Sequence, residues 1–167
     1  MPISTGRRQM FRRRFTLEQI RKIADYQFGK GVGENLFPEN VEIIFSKRTG
    51  RIRYIYLDGK LLAALNPTTG LFTLTIEGAK RVFSSMNPKR SWVKISDEAV
   101  PFVESGGDVF AKHVIESDKN IRPEEEVIVI DREENVIGVG KAMLSGAEMM
   151  TFNRGIAVKI RRGRRED

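Results

Sequence analysis

Two adjacent glycines stand in the stretch Ser105-Gly106-Gly107-Asp108, followed at once by Val109, Phe110, Ala111, Lys112 and His113. Glycine lets a phosphate oxygen or a sugar approach main-chain amides that a side chain would block. An aromatic ring offers a base a face to stack on, and lysine supplies a point charge for phosphate. The same chemistry recurs near the end of the sequence, at Arg154-Gly155 and in the run Lys159, Arg161, Arg162, Arg164 and Arg165. A guanidinium suits phosphate because its planar fork donates paired hydrogen bonds. Arg7, Arg8, Arg12, Arg13 and Arg14 form a basic N-terminal arm able to follow a polyanion backbone, and Arg51 and Arg53, two apart, share one face of a predicted strand. Each group has a plainer reading. Gly106 also suits a helix C-terminal turn, Phe110 a core position at alternating strand spacing, His113 an ordinary surface site, and Arg164 and Arg165 a flexible tail.

Covalent and metal chemistry find little material. The 167 residues contain no cysteine and one histidine, His113, which excludes a disulfide, a thiolate-metal site, a cysteine nucleophile and a multi-histidine cage. Gly29-Lys30-Gly31-Val32-Gly33 follows a helix where a dinucleotide fingerprint must follow a strand, and Glu34 stands where that fingerprint needs glycine. Asp25 and Asp58 have no evident acid–base partner; a capped helix and a hairpin account for them. No catalytic residue, metal or cofactor is expected.

The charge is uneven. Residues 1–90 hold 17 Lys/Arg against 7 Asp/Glu and residues 91–167 hold 12 against 15, within a net charge of +7. Such a field attracts polyanions, with RNA or DNA the natural partner class and a steep salt dependence. The longest apolar runs, such as 61–65 and 127–130, are far below the roughly 20 residues of a membrane crossing, so no membrane partner is expected. With no secretory pattern at the start, a cytoplasmic location is the expectation.

The elements that position these residues follow from periodicity. Thr16 with Gln19 has the form of a capping box, and Leu17, Ile20, Ile23, Ala24 and Phe28 recur at helical spacing, which predicts a helix over 16–28 closed by Gly29, Gly31 and Gly33. A β-meander comes next: Val41, Ile43 and Phe45 alternate, Thr49-Gly50 turns the chain, Ile52, Tyr54 and Tyr56 alternate again, and Asp58-Gly59 signals a hairpin into 61–65 and 71–76. Ile76, Ala79, Val82, Phe83 and Met86 mark a short amphipathic helix, and Asn87-Pro88 breaks the chain. Beyond it, strands are predicted over 92–95, 109–115, 127–130, 136–144 and 156–160. A short helix capped by Ser96 and another opened by a Ser145/Glu148 capping box lie among them. The fold class is α+β: a small N-terminal α+β domain of helix, antiparallel β-meander and helix, then a curled barrel of short strands with two short helices. At that size each domain must lean on the other. The organisation is a basic arm at 1–15, a first domain at 16–88, a second at 89–163 and a charged tail at 164–167.

Residues 92–163 resemble the PUA domain, the RNA-binding module of pseudouridine synthases and archaeosine transglycosylases. The resemblance lies in AVPFVESGGDVFAKHV, IRPEEEVIVID, VIGVGKAMLSGAEM and NRGIAVKIRRG. The preceding segment, IRKIADYQFGKGVGENLF and RTGRIRYIYLDGKLLAALNPTTGLFTLTIEGAKRV, is similar to the domain just before the PUA module in archaeosine tRNA-guanine transglycosylase, and is the more specific match. Together they run from about Leu17 to Gly163. The resemblance implies a PUA-type pseudo-barrel that grips the acceptor end of tRNA, including its single-stranded 3′ terminus, with the bend at 105–108, the strand after it and the last strand beside the groove. His113 stands where that motif often has an apolar residue. The family's catalytic part is a TIM barrel with an aspartate nucleophile, a second acidic residue and a zinc site that includes cysteines; no segment here is long enough to be that barrel. The resemblance thus implies a non-catalytic tRNA-binding protein of archaeosine biosynthesis, either a detached subunit whose partner is a separate catalytic transglycosylase chain or an independent adaptor. The other reading is a protein-interaction or RNA-binding module in translation or ribosome assembly.

Overall fold

In the computed structural model, which describes residues 5–166, the first helix α1 spans Thr5–Phe28. It begins well before the predicted start at Thr16, whose hydroxyl donates to the carbonyl of Arg12 one turn back, as a mid-helix threonine does, and does not cap. Residues 7–15 carry arginine, glutamine, methionine and phenylalanine with no glycine or proline, so nothing stops the helix from propagating toward the N-terminus. The predicted arm is therefore helical from Thr5; its first four residues, like Asp167 of the predicted tail, lie outside the described residues.

From Leu17 onward the helix buries Leu17, Ile20, Ala24 and Phe28. The glycine-rich segment after it is a tight turn into α2 (Val32–Leu36), and its chemistry is packing. Gly33 lies so close to α1 that a β-carbon there would collide with the carbonyl of Arg21, while its N–H donates to Asp25 Oδ1 at 2.6 Å. Asp25 thus satisfies an orphan helix-start donor.

Strands β1 (Glu42–Phe45), β2 (Ile52–Leu57), β3 (Lys60–Leu65) and β4 (Phe72–Leu74) form an antiparallel sheet in chain order. Asp58 and Gly59, at φ 50° and 79°, make the left-handed two-residue turn between β2 and β3. Thr75 caps α3 (Ile76–Ser85) by accepting from Gly78 N at 3.2 Å. α1 and α3 cover one face of the sheet, where Phe37 and Phe72 meet edge-on at 5.1 Å beside Ile55 and Leu74.

The second unit consists of β5 (Trp92–Ile95), α4 (Val100–Glu104), β6 (Val109–Phe110), β7 (Val114–Ser117), β8 (Glu126–Ile130), β9 (Val136–Ala142), α5 (Gly146–Thr151) and β10 (Ile156–Gly163). The strand order is β6-β10-β9-β8-β5-β7, with β5 parallel to β8 and the other neighbours antiparallel. The sequence predicts one strand over 109–115. That stretch is instead two strands pairing at opposite ends of the sheet, joined by a 3₁₀ turn at Ala111–His113. A chain that must leave β10 and reach β5 turns a corner, and this corner brings the two sheet edges together into a pseudo-barrel.

Ser96 does not cap a helix; a 3₁₀ turn at Asp97–Ala99 leads into α4, and the Ser96 side chain faces His113. The capping box at Ser145 is complete, with Glu148 N to Ser145 Oγ at 3.1 Å and Ser145 N to Glu148 Oε1 at 2.8 Å. One hydrophobic core runs through both units, since Ile128, Ile130, Val136 and Val139 of the barrel pack with the first unit's residues. A second core, including Val93, Ile95, Val127, Val129 and Val158, fills the barrel. Among the described residues no helix is long and apolar enough to cross a membrane.

Candidate nucleic-acid interface

The bend at residues 105–108 closes α4. Gly106 takes φ 102°, its N–H donates to Val103 O at 3.0 Å, and Gly107 N donates to Phe102 O at 2.7 Å. Both glycines are half-buried and both of their amides are spent on closing α4, which is the plainer helix-terminus reading. Asp108 turns inward: its Oδ1 accepts Ile160 N at 2.9 Å, where the β9–β10 register slips, and so pins the bend to the last strand. The open side of Gly106 faces a carboxylate. Glu166 places its oxygens 2.7 and 2.9 Å from where a β-carbon would stand, held by Gly163 N at 2.8 Å. An anion thus occupies the approach expected for phosphate.

Beyond the bend, Val109 is in the core and Phe110 is 46% exposed. Phe110 sits directly across from Ile156 of β10, and Ala111 N donates to Gly155 O at 2.9 Å. These contacts bring the Arg154-Gly155 turn against the segment from Phe110 to Lys112, two stretches over 40 residues apart in sequence. Gly155 has φ 91°, and Arg154 and Lys112 are exposed. Ala111 is buried. His113 leaves this group: Nδ1 lies 3.5 Å from Ser96 Oγ and 3.7 Å from Glu98 Oε1, beside an acid and on the 3₁₀ turn, not on a strand. Phe102, 72% exposed one turn before the bend, is an aromatic that periodicity gave no reason to single out.

Several arginines have structural work that their sequence context did not show. Arg161 forms a two-pronged ion pair with Glu126 and donates to Leu74 O at 2.6 Å, while Glu126 Oε2 accepts Leu74 N at 2.7 Å. Strand β4 of the first unit is thereby clamped to β8 and β10 of the second. Burial pushes the Glu126 carboxyl above its ordinary range, and the Arg161 guanidinium and the Leu74 amide oppose that push. Arg164 and Arg165 are no flexible tail, because both neutralise the buried carboxylate of Glu104, at 2.6 and 3.0 Å. Arg13 donates to the carbonyls of Glu39 and Val41 and ties α1 to the start of β1. Arg7, Arg8, Arg12 and Arg14 lie on the exposed first turns of α1. Arg51 belongs to the turn before β2, and the β1–β2 register slips beside Arg53. Arg53 instead lines a groove with Arg161, Arg162 and Glu166. Among the described residues no group of acidic or histidine side chains is arranged to hold a metal ion.

Residues 18–89 match the patch-forming domain C2 of tRNA-guanine transglycosylase, and residues 91–164 match the PUA domain. The chain is 41% identical over 147 residues to tRNA-guanine(15) transglycosylase of Methanothermobacter thermautotrophicus, which covers 88% of this chain and 22% of that protein. To the enzyme of the same name from Pyrococcus furiosus it is 44% identical over 144 residues, 86% of this chain and 24% of that one. The chain therefore spans less than a quarter of the length of these relatives, and it matches their C-terminal portion. In fold it is similar to a hypothetical protein of Pyrococcus horikoshii, with TM-score 0.70 and 22% identity over 89% of this chain and 90% of that one. A PUA domain protein of Thermoplasma acidophilum gives TM-score 0.63 and 19% identity over 90% and 89%.

Proposed function

Since residues 18–89 belong to the C2 domain family of tRNA-guanine transglycosylases and residues 91–164 to the PUA family, we propose that this chain is a non-catalytic RNA-binding protein that holds the acceptor end of tRNA. Its partner in that role is a separate catalytic transglycosylase chain, for which it positions the substrate. The observation that carries the reading is Phe110, an aromatic ring left 46% exposed on a short edge strand between the glycine bend and the Arg154-Gly155 turn. A buried-core role would hide that ring. An unpaired terminal nucleotide gains from stacking on it, and the exposed Lys112 and Arg154, on segments joined by the Ala111–Gly155 hydrogen bond, are the cations offered to its phosphates. Glu166 must release Gly163 N and swing away from Gly106 for a phosphate to approach the bend.

The test is a binding titration with intact tRNA, the same tRNA trimmed of its single-stranded 3′ nucleotides, and duplex DNA, at several salt concentrations. Trimming is expected to weaken binding about five- to 150-fold, the range for losing one stacked base, and Phe110→Ala to weaken intact tRNA by a similar factor. Equal affinity for the three ligands refutes acceptor-end recognition. Failure to bind any RNA favours a protein-interaction module. Co-purification with a catalytic chain and stimulation of guanine exchange test the subunit role, and their absence alongside tight tRNA binding leaves the independent adaptor.

A further inference from the structure

The two units meet along a groove of about 480 Å³ that adjoins the bend at Glu166 and runs between the uncovered face of the first sheet and strand β10. Its floor follows from strand pairing. Tyr54 pairs with Ala64 and Ala64 with Thr73, so a large ring stands beside two small side chains on the face away from α1 and α3. Tyr56, two residues on, lies 6.5 Å away centroid to centroid. The irregular β1–β2 register at Arg53 brings its guanidinium 5.5 Å from the Tyr54 centroid. Arg161, Arg162 and Glu166 stand on the other side of the groove.

From this arrangement we infer a second RNA site, one that takes a single unpaired ribonucleotide: its base stacks on Tyr54 and its phosphate meets Arg53 and the Arg162 edge of β10. The inference rests on the RNA-binding reading above and adds a contact that the first domain makes. Three features select this ligand. Half-exposed rings on an open sheet face suit bases that are already unstacked, whereas a duplex keeps its base faces covered. The volume is that of a small-ligand pocket, enough for one nucleotide. The groove offers cations to a phosphate, while the Glu166 carboxylate at its rim is held by Gly163 N and takes no part in binding. Arg161 is committed to Glu126 and shapes the wall; it is not a phosphate ligand here.

Fluorescence anisotropy with a labelled single-stranded oligoribonucleotide of about ten residues, on the full chain, tests the site. Tyr54→Ala is expected to weaken binding about tenfold and Tyr54→Phe to preserve it, since stacking needs the ring and not the hydroxyl. Arg53→Ala is expected to lower the slope of log affinity against log salt by about 0.7, one single-strand phosphate contact. Thermal melting of each variant verifies folding, and Tyr54→Phe keeps the result interpretable if the alanine variant melts early. Loss of binding in Phe110→Ala with Tyr54→Ala and Arg53→Ala unchanged overturns the groove and leaves acceptor-end recognition standing. Equal loss for an acidic peptide competitor and for RNA overturns nucleotide selectivity in the groove. Retained binding in Phe110→Ala with loss in Tyr54→Ala supports the groove and tells against the bend.

Discussion

Replacing Arg161 by alanine distinguishes a domain tie from an RNA contact, and the structure sets the size of the effect. The Glu126 side chain is 6% exposed and that of Arg161 35%. Without the guanidinium, the carboxylate keeps one donor, Leu74 N at 2.7 Å, and Leu74 O loses its partner. Removing one member of a buried pair costs about 3–5 kcal/mol; because Arg161 is a third exposed, water enters the vacated space, and discounting for that screening leaves about 2 kcal/mol at neutral pH. For a chain of this size that corresponds to a fall in Tm of about 4–8 °C. Glu126→Gln leaves the half-exposed guanidinium hydrated and still bonded to Leu74 O, so its cost is about 1 kcal/mol. Urea unfolding of both variants measures this asymmetry. A cost below about 0.5 kcal/mol for Arg161→Ala, or a larger cost for Glu126→Gln, refutes the clamp. If Arg161→Ala is as stable as the parent and loses tRNA affinity, the arginine is a contact and not a tie.

Burial holds the folded-state Glu126 carboxyl above its ordinary 4.5, so between that value and its folded one the native protein retains a proton that the unfolded chain has released, and above it the carboxylate pairs with Arg161. Stability from this group is therefore fully present below about 4.5 and is lost as pH rises through the folded value; Glu126→Gln should flatten that part of a Tm-against-pH curve, and an unchanged curve contradicts the assignment. Gly33→Ala pushes a β-carbon onto the α1 backbone at Arg21 and is expected to destabilise by about 2–3 kcal/mol, measured by urea unfolding; a neutral result means the helices separate freely. Ser145→Ala removes one half of the capping box and should cost about 1 kcal/mol, read as a Tm drop of a few degrees that Ser145→Asp largely restores. Glu166→Gln removes the negative charge over Gly106 and should raise tRNA affinity two- to fivefold, about 0.4–1 kcal/mol; a fall in affinity makes Glu166 a ligand of the RNA.

The groove and the clamp share one origin. Arg161 and Arg162 are consecutive on β10, yet the register slip between Ile160 and Arg162 sends the first to Glu126, while both line the groove that faces Tyr54. The clamp fixes the distance between Tyr54 and the barrel, so loosening Arg161 widens the groove as well as weakening the fold. Variants at the interface and in the groove are thus coupled, and their effects should not add.

Periodicity and turn chemistry determined the elements wherever the signal was local. The β-meander with its Asp58-Gly59 hairpin, α3 with its buried stripe, and α5 with its capping box all follow from neighbours within a few residues. So did the α+β class, and the absence of cysteine was enough to exclude thiolate chemistry. What the sequence left open was decided between residues far apart in the chain. The stretch 109–115 has strand propensity throughout, but barrel closure breaks it at Ala111–His113 because its halves pair with β10 and β5. Arg161, Arg164 and Arg165 are alike as cations in a basic run. Buried carboxylates 35 and about 60 residues away make the first an interdomain clamp and the others partners of Glu104, because a charge removed from water requires an opposite charge beside it. Tyr54 carried no signal beyond alternation; the small residues paired across from it and the strand of another domain turn it into the wall of a groove.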